Sequence, residues 1–420
     1  MKLGRRGFLI AGSATALSPW LPRAFGADAP PSPITNCWGV AETTKIDLEE
    51  IRVFEGRPGA AYNHHQQVVF DRGRLYVSWS DGVLNEDDPG QHMLFAVSED
   101  DGRTWSKETE LTPPLPEKTS AYTAMGIRAY NERLIAYYGH YAYTDLCLER
   151  DGLPDVIINQ NEFRFKASPV EWCHRDLFTA IRISSDRGQT WGAPIRIIEK
   201  FVPNLRPFPT RSGRLVIPGN ITFPYTDDPA GIEGWHSTGL PRLPIWVADD
   251  PEGFHKACYF RSDLRNYCEA SFYQTDDGVI HMMLRTSPLA PEKHDGLLAV
   301  TESADDGKTW SEPSLTSYTD CSCRFHFGRL PDGRFFGLSC PNPKGARTPL
   351  VLATSKDGVS FDRHYILGDS TASKPRMPGK AKGGAYGYPT CDIAEGKMYI
   401  AFSRAKEDIY FTKLDLSALT

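Results

Sequence analysis

Two adjacent histidines stand at the start of an apolar stretch near the N-terminus, in the segment AYNHHQQVVF, residues 61–70. Imidazole groups exchange protons near neutral pH, so His64 and His65 are candidates for acid or base catalysis. Asn63 and Gln66 flank them with amides that bind hydroxyls or carboxylates. Because successive side chains of a strand point to opposite faces, we expect only one of the two histidines to face a site.

Composition and charge limit the class of protein that can use these groups. The chain has 420 residues, 24% of them charged, and a formal net charge of −6, which argues against a nucleic-acid partner. The nine cysteines include the pair Cys321 and Cys323, which lacks a second pair at zinc-ligand spacing and is interpreted as structural. Nothing in the sequence calls for a metal or another cofactor.

The first residues have the pattern of an export signal. Arg5 and Arg6 precede an apolar run that extends to Trp20, and small residues follow at 24–27. Paired arginines, a short apolar core and small residues are typical of a twin-arginine signal. We therefore expect a signal over residues 1–27, a single mature domain over 28–420, and a periplasmic or secreted protein with no membrane association beyond export.

A short motif recurs along the mature chain. It reads Ser-x-Asp-x-Gly-x-Thr-Trp at 98–105, 184–191 and 303–310, with a degenerate copy at 354–361. Asp and Gly favour a tight turn, the hydroxyls and carboxylates bind nearby backbone N–H groups, and the Trp fills the space between sheets. The aspartates of this motif are therefore predicted to be structural.

A second repeat, a turn followed by an apolar strand, predicts the architecture. Six copies begin at Gly73, Glu132, Gly213, Gly278, Gly333 and Gly396. Helical periodicity is nearly absent, and such spacing predicts an all-β fold, a six-bladed β-propeller, with seven blades as the alternative. Residues 45–53 are expected to close the last blade, and an insertion at about 144–171 to overhang one face.

The Ser-x-Asp-x-Gly-x-Thr-Trp unit resembles the Asp box of the sialidase (neuraminidase) superfamily, over nearly the whole mature length. The resemblance implies that Glu269 is the base to a Tyr388 nucleophile, and that Arg285 and Arg347 bind a substrate carboxylate. It also implies an acid-catalytic aspartate in the first-blade loop, Asp88, or Asp87 if the register differs.

The chain departs from this family at the first blade. Sialidases have an arginine motif there, and this sequence has the Asn-His-His-Gln segment at residues 63–66 instead. An imidazole does not replace a permanently charged, bidentate guanidinium. The segment is similar to that of propeller polysaccharide lyases that cleave rhamnose–glucuronate and ulvan-type linkages with His and Tyr.

Three functions remain open at this point. The first is an exo-glycosidase that cleaves a terminal acidic sugar, the second a β-eliminating lyase on a uronic acid, and the third a non-catalytic glycan-binding propeller. All three take an oligo- or polysaccharide as partner, and the sequence does not determine the oligomeric state. Further polar positions on inner strands are expected to line the pocket, namely Arg128, His140, Arg324 and His326, and Trp235 with His236 to form a sugar-stacking wall.

Overall fold

A computed structural model describes residues 31–143, 174–199, 201–202, 205–241, 259–260, 265–288, 296–344, 347–371, 374–380 and 382–420. These residues form strands and one 3-10 helix, Leu416–Ala418. None of them forms a helix long and apolar enough to cross a membrane. The predicted signal and the insertion at about 144–171 lie outside the described residues, and both stay predictions.

The strands of the described residues make six sheets. The first contains β3 (Tyr62–Asp71), β4 (Arg74–Gly82), β5 (His92–Ser98) and β6 (Thr109–Glu110). The second contains β7 (Ser120–Tyr130), β8 (Arg133–Tyr143), β9 (His174–Ser184) and β10 (Ile195–Glu199). The third contains β11 (Phe208–Pro209), β12 (Leu215–Val216) and β13 (Tyr225–Thr226).

The other three sheets are also built from antiparallel strands, apart from one parallel strand at the edge of the fifth. The fourth contains β14 (Tyr259–Phe260), β15 (Arg265–Gln274), β16 (Ile280–Pro288), β17 (Leu297–Ser303) and β18 (Ser314–Thr319). The fifth contains β19 (His326–Arg329), β20 (Phe335–Ser339), β21 (Leu350–Ser355), β22 (Arg363–Gly368) and β1 (Glu42–Lys45). The sixth contains β23 (Gly387–Ala394), β24 (Lys397–Arg404), β25 (Asp408–Asp415) and β2 (Ile51–Phe54).

The ring closes between the first and last sheets, because β3 packs against both β7 and β23. The N-terminal strand β2 pairs antiparallel with β25, with Ile51 opposite Phe411. This confirms the predicted closure of the last blade by the N-terminal segment. The parallel addition of β1 to β22 was not predicted. The propeller fold is thus confirmed, and its count of six blades stays a prediction.

The Asp boxes perform the predicted structural role. In the second box, Asp186 accepts hydrogen bonds from the Thr190 backbone N–H at 2.9 Å and from Ser184 Oγ at 2.7 Å. The boxes at Asp100 and Asp305 repeat these contacts. The degenerate copy is one residue shorter than predicted, because Ser355 and Asp357 make its turn.

Each box tryptophan packs against the preceding sheet around the ring. Trp105 lies 5.2 Å from Phe411, Trp191 5.8 Å from Phe95, and Trp310 4.8 Å from Phe223, measured between ring centroids in edge-on geometry. Edge-to-face pairs of this kind add about 0.5–1.5 kcal/mol to the burial of the rings. They fix neighbouring blades relative to one another, and so fix the strands that surround the axis.

Candidate active site

Three innermost strands carry a β-bulge near their first residues. The pairing register shifts around His65 on β3, Glu269 on β15 and Tyr388 on β23. Each of these residues has a positive φ, of 57°, 49° and 53° respectively. Backbone in this region costs a non-glycine residue about 1–3 kcal/mol and is concentrated at functional sites. Regular strands would point these three side chains in other directions. The bulges turn all three toward one end of the axis.

Tyr388, Glu269 and Arg285 form one hydrogen-bonded group at this end. The Tyr388 hydroxyl donates to one oxygen of Glu269, and Arg285 Nη1 donates to the other. Arg285 Nη1 also lies 3.1 Å from Tyr388 Oη, and its Nε donates to Ser322 Oγ at 3.1 Å. The structure therefore brings together three of the residues that the sialidase resemblance indicates.

The charges in this group are set by burial and by the guanidinium. Burial acts to raise the pKa of Glu269, but the Arg285 charge and the hydrogen bonds from Tyr388 and Arg285 outweigh it, so that pKa lies below its ordinary value. Burial, and then the Glu269 charge, raise the pKa of Tyr388 well above its ordinary value. The pair is thus a protonated phenol beside an ionised carboxylate, the arrangement that a general base and its nucleophile require.

Two more arginines lie over the Tyr388 ring. The guanidinium carbon of Arg324 is 4.7 Å from the ring centroid, and that of Arg347 is 5.5 Å away. Arg324 is fully buried and donates to the backbone oxygen of Gln66 at 3.1 Å. Nη1 of Arg347 is buried and finds no hydrogen-bond partner within the described ranges. Arg347 is therefore suited to receive an anionic group.

Both histidines reach this site, so the expectation that only one would do so was wrong. The ring centroids of His64 and His65 lie 3.9 Å and 5.5 Å from that of Tyr388. The bulge at His65 interrupts the alternation on which the expectation rested. His64 Nδ1 is 2.7 Å from Ser403 Oγ, and burial, followed by Lys406 and His65, lowers the pKa of His64 well below its ordinary value.

Glu86 completes the site and was missed in the sequence. One of its carboxylate oxygens lies 3.0 Å from His65 Nε2, and the other lies 2.5 Å from Lys406 Nζ. Burial acts to raise the pKa of Glu86, but Lys406 and His65 outweigh it and hold that pKa well below its ordinary value. The available signal was the run of acidic residues at 86–88, of which only Asp87 and Asp88 were predicted to be candidates.

The two predicted acid candidates of this loop face elsewhere. Asp88 is buried and accepts hydrogen bonds from the Asn85 backbone N–H at 3.0 Å and from Asn85 Nδ2 at 3.1 Å, so it stabilises its own turn. Asp87 accepts a hydrogen bond from the Tyr141 hydroxyl. Glu86, rather than Asp88, is the residue of this loop that contacts His65.

The amides beside the histidines hold the backbone. Asn63 is fully buried, donates to the oxygens of Ala60 and Glu407, and accepts from Trp79 Nε1 at 2.9 Å. Its polar atoms are occupied, so Asn63 is not available to a substrate. Gln66 Nε2 donates to the backbone oxygens of Gly387 and Tyr388. Gln66 therefore positions Tyr388, but its Oε1 is buried without a hydrogen-bond partner among the described residues, so substrate binding by Gln66 stays a prediction.

Two other predicted pocket residues lie apart from Tyr388. His140 is fully buried, stacks on Phe178 with centroids 4.5 Å apart, and its Nδ1 is 2.8 Å from the backbone oxygen of Asp176. Arg128 Nη1 donates to the backbone oxygen of Ala230 at 3.2 Å, near the far end of β7.

The aromatic residues expected to form a sugar wall pack elsewhere. Trp235 packs against the core of the second and third blades, and His236 stacks on Tyr225 with centroids 5.2 Å apart. In the described part of the chain no three His, Cys, Asp or Glu side chains are grouped to hold a metal ion.

Solved structures with similar folds are distant in sequence. A protein of unknown function from Dyadobacter fermentans is 15% identical, with a TM-score of 0.57, covering 89% of this chain and 98% of that one. A Trypanosoma rangeli sialidase in complex with sialic acid is 13% identical, with a TM-score of 0.57, covering 90% and 61%. The NanB sialidase from Streptococcus pneumoniae is 14% identical, with a TM-score of 0.53, covering 88% and 71%. At these identities the likeness concerns the fold.

The family is shown by the sequence itself. A model of the BNR repeat-like domain matches residues 150–400, which is more than half of the chain. No curated protein matches the sequence. The match covers three of the Asp-box copies, and the structural neighbours with the same fold are mainly sialidases. The chain therefore belongs to the BNR repeat-like domain family, and its fold is that of the sialidases.

Proposed function

We propose that the protein is an exo-acting glycosidase that removes a terminal acidic sugar from an oligo- or polysaccharide. The observation that carries this proposal is the hydrogen bond from Tyr388 to Glu269, a buried carboxylate that Arg285 keeps ionised. A buried Tyr–Glu pair of this kind has little value for stability alone, because burial of the charges costs free energy that an apolar pair would not. Its value lies in activating the phenol as a nucleophile.

In the first step, Tyr388 Oη attacks the anomeric carbon and transfers its proton to Glu269. The bond from that carbon to the leaving oxygen breaks, and a covalent glycosyl–tyrosine intermediate forms. Two cations stabilise the ionised form of Glu269, Arg285 in direct contact and Arg324 over the Tyr388 ring. As positive charge develops on the sugar ring, the single negative charge that Tyr388 and Glu269 share stabilises it.

The leaving oxygen requires a proton, which we assign to the pair of His65 and Glu86. His65 is nearly closed to solvent, whereas Glu86 has 18% of its side chain exposed. A proton on His65 passes to Glu86 along their 3.0 Å contact and from Glu86 to the leaving oxygen. In the second step water attacks the intermediate, Glu86 accepts the water's proton and passes it back to His65, and Glu269 returns its proton to Tyr388.

The preference for an acidic sugar comes from Arg347 and Arg285. Arg347 presents a buried Nη1 that no described side chain or backbone group satisfies, and a carboxylate would satisfy it. Imidazoles lie where sialidases have a third arginine. We therefore propose an acidic sugar whose carboxylate needs fewer arginines for binding than that of a sialic acid. A uronic acid meets this description. With its predicted signal, the enzyme would act in the periplasm or outside the cell.

The test is product analysis on glycans capped with glucuronate, galacturonate or sialate. Hydrolysis releases a free reducing sugar, and a double displacement at Tyr388 releases it with the anomeric configuration retained, which proton NMR resolves during early turnover. Release of the inverted anomer would exclude Tyr388 as a nucleophile. No release from any acidic cap, together with glycan binding that survives Glu269→Gln, would support the non-catalytic alternative.

A second candidate is a β-eliminating lyase on a uronic acid, and the state of His64 favours it. The pKa of His64 is lowered, so the imidazole is neutral, and its buried Nε2 has no hydrogen-bond partner among the described residues. A neutral imidazole beside arginines that neutralise a carboxylate can take the proton next to that carboxylate, while Tyr388 protonates the leaving oxygen. The ultraviolet absorbance of an unsaturated uronate product distinguishes this reaction from hydrolysis.

A further inference from the structure

A cavity of about 550 Å³ opens at the end of the axis opposite to Tyr388. Its walls include the last residues of innermost strands, with Phe70 from β3, Tyr273 from β15 and Ile393 from β23. The candidate active site uses the first residues of the same strands. The cavity is therefore a separate site, and no step of the proposed reaction involves it. Its volume lies within the range of small-molecule pockets.

Arg206 is a buried, charged residue of this cavity with an unsatisfied hydrogen-bond donor among the described residues. It is only 7% exposed, and its guanidinium stacks on Phe208 at 4.7 Å. Its Nη2 is 3.6 Å from Asp392 Oδ1, which is longer than a hydrogen bond. Its Nε is buried and has no hydrogen-bond partner within the described ranges. A buried charged donor without an acceptor is costly, and an anionic ligand would satisfy it.

Two further donors line the same cavity. Arg128 is half-buried there, and one of its guanidinium nitrogens, Nη1, is occupied by the backbone oxygen of Ala230. His326 is neutral, since burial and then the charges of Arg206 and Arg324 lower its pKa to about 3. His326 Nδ1 accepts the Cys391 backbone N–H at 2.9 Å, so its proton resides on Nε2. The cavity thus offers two guanidinium groups and one imidazole N–H.

Asp392 restricts the ligand to one that also donates hydrogen bonds. Its Oδ2 accepts the Phe70 backbone N–H at 2.8 Å, and its Oδ1 faces Arg206 across a gap. A plain inorganic anion would be repelled by this carboxylate, whereas a hydroxyl would donate to it. A sugar acid carries both groups, and Phe208 and Phe70 offer apolar surface to its ring.

We propose that this cavity is a second saccharide site, which takes an acidic sugar unit with its carboxylate on Arg206 and a hydroxyl on Asp392. The site would hold a glycan chain or a released sugar at the face remote from the reaction. It does not depend on the proposed function, because its residues are distinct from those assigned to catalysis.

Binding of glucuronic acid to the full chain, followed by ligand-observed NMR and by calorimetry, tests this inference. Every protein in this experiment carries the substitution Arg347→Gln, which weakens binding at the candidate active site. On that background, Arg206→Gln should weaken glucuronate binding about tenfold to a hundredfold, as expected for loss of a charge-assisted contact. Arg128→Gln should weaken it less. Glucose, which lacks the carboxylate, should bind at least about tenfold more weakly than glucuronate.

Arg211→Gln is the matched control. Arg211 also lines the cavity, but it is about half exposed and donates to the backbone oxygens of Thr275 and Asp276, so its loss should leave binding unchanged. No binding of glucuronate, or binding unaffected by both Arg206→Gln and Arg128→Gln, would overturn the proposal. Equal binding of inorganic phosphate would also overturn it. If circular dichroism shows that Arg206→Gln does not fold, the effect of Arg128→Gln on glucuronate binding decides between the two outcomes.

Discussion

Substitution of Glu269 by Gln separates the charge of this residue from its shape. The change leaves an acceptor of the same size but removes the negative charge that receives hydrogen bonds from Tyr388 and Arg285. Hydrogen bonds to charged groups contribute about 1.5–3 kcal/mol, roughly twice the neutral value, so two weakened bonds cost about 2 kcal/mol. Arg285 also loses its counter-charge in a mostly buried place, which brings the expected loss of unfolding free energy to about 2–4 kcal/mol.

The loss should depend on pH with a definite sign. The folded-state pKa of Glu269 lies below its ordinary value of 4.5, so its contribution to stability is fully present above that pH. The contribution is lost as the pH falls through 4.5 toward the folded-state pKa. The difference in unfolding free energy between wild type and Glu269→Gln should therefore be constant near neutrality and shrink in acid.

Two assays check these expectations together. Urea unfolding from pH 7 to pH 3 gives the stability difference, and hydrolysis of an aryl glycoside of the released sugar gives kcat/KM. Loss of a general base should lower kcat/KM about a hundredfold to ten-thousandfold. Glu302→Gln, which removes a half-exposed carboxylate paired with His281 on the same blade, should change stability by about 0.5 kcal/mol or less. A Glu269→Gln protein with turnover within tenfold of wild type would refute the assignment of Glu269 as the base.

Three further changes test other parts of the account. Asp186→Ala removes the central acceptor of an Asp box and should lower the urea midpoint while kcat is unchanged. Because the pKa of Asp186 is about 2, the difference in urea midpoint between wild type and variant should vanish as the pH falls from about 4 toward 2. A loss of kcat would show that the box acts on the site. Lys406→Met removes a cation that lowers the pKa of Glu86, so the basic limb of the kcat/KM profile should move to higher pH, and an unmoved limb would exclude Glu86 from proton transfer. His64→Ala should reduce hydrolysis modestly. If the variant instead loses all turnover and the wild type releases an unsaturated product, the protein is a lyase.

The fold could be predicted because its signals are local. An Asp box makes its hydrogen bonds within a few residues, as between Ser98, Asp100 and Thr104, so the sequence motif by itself specifies the turn. The closing strand was also predictable, since the last repeat lacked an outer strand. The strand β1 was not, because it adds to β22 through parallel backbone pairing that leaves little trace in side-chain type.

The site was predictable only in part, because bulges decide where its side chains point. The resemblance to sialidases indicated Glu269, Arg285 and Tyr388, and the structure places these three in contact. Alternation along β3 gave a wrong expectation for His64 and His65, since one extra residue in the strand reverses the alternation locally.

Contacts between distant segments could not be predicted where neither the repeats nor the family resemblance indicated them. Glu86 meets Lys406 across 320 positions of sequence, and no local pattern marks that pair. Asn63 and Gln66 were expected to bind substrate because they are amides beside histidines. Their amide N–H groups donate to backbone groups of the last blade, which only the closed ring brings near.

The central claim is that Tyr388 becomes covalently attached to the sugar. The most direct measurement is intact-protein mass spectrometry after incubation with a fluorinated derivative of the released sugar, which slows the second step and allows the intermediate to accumulate. The account predicts the addition of one glycosyl unit, mapped to Tyr388 by peptide analysis and absent from Tyr388→Phe. A protein that hydrolyses the parent substrate but carries the label on another residue, or no label, would contradict it.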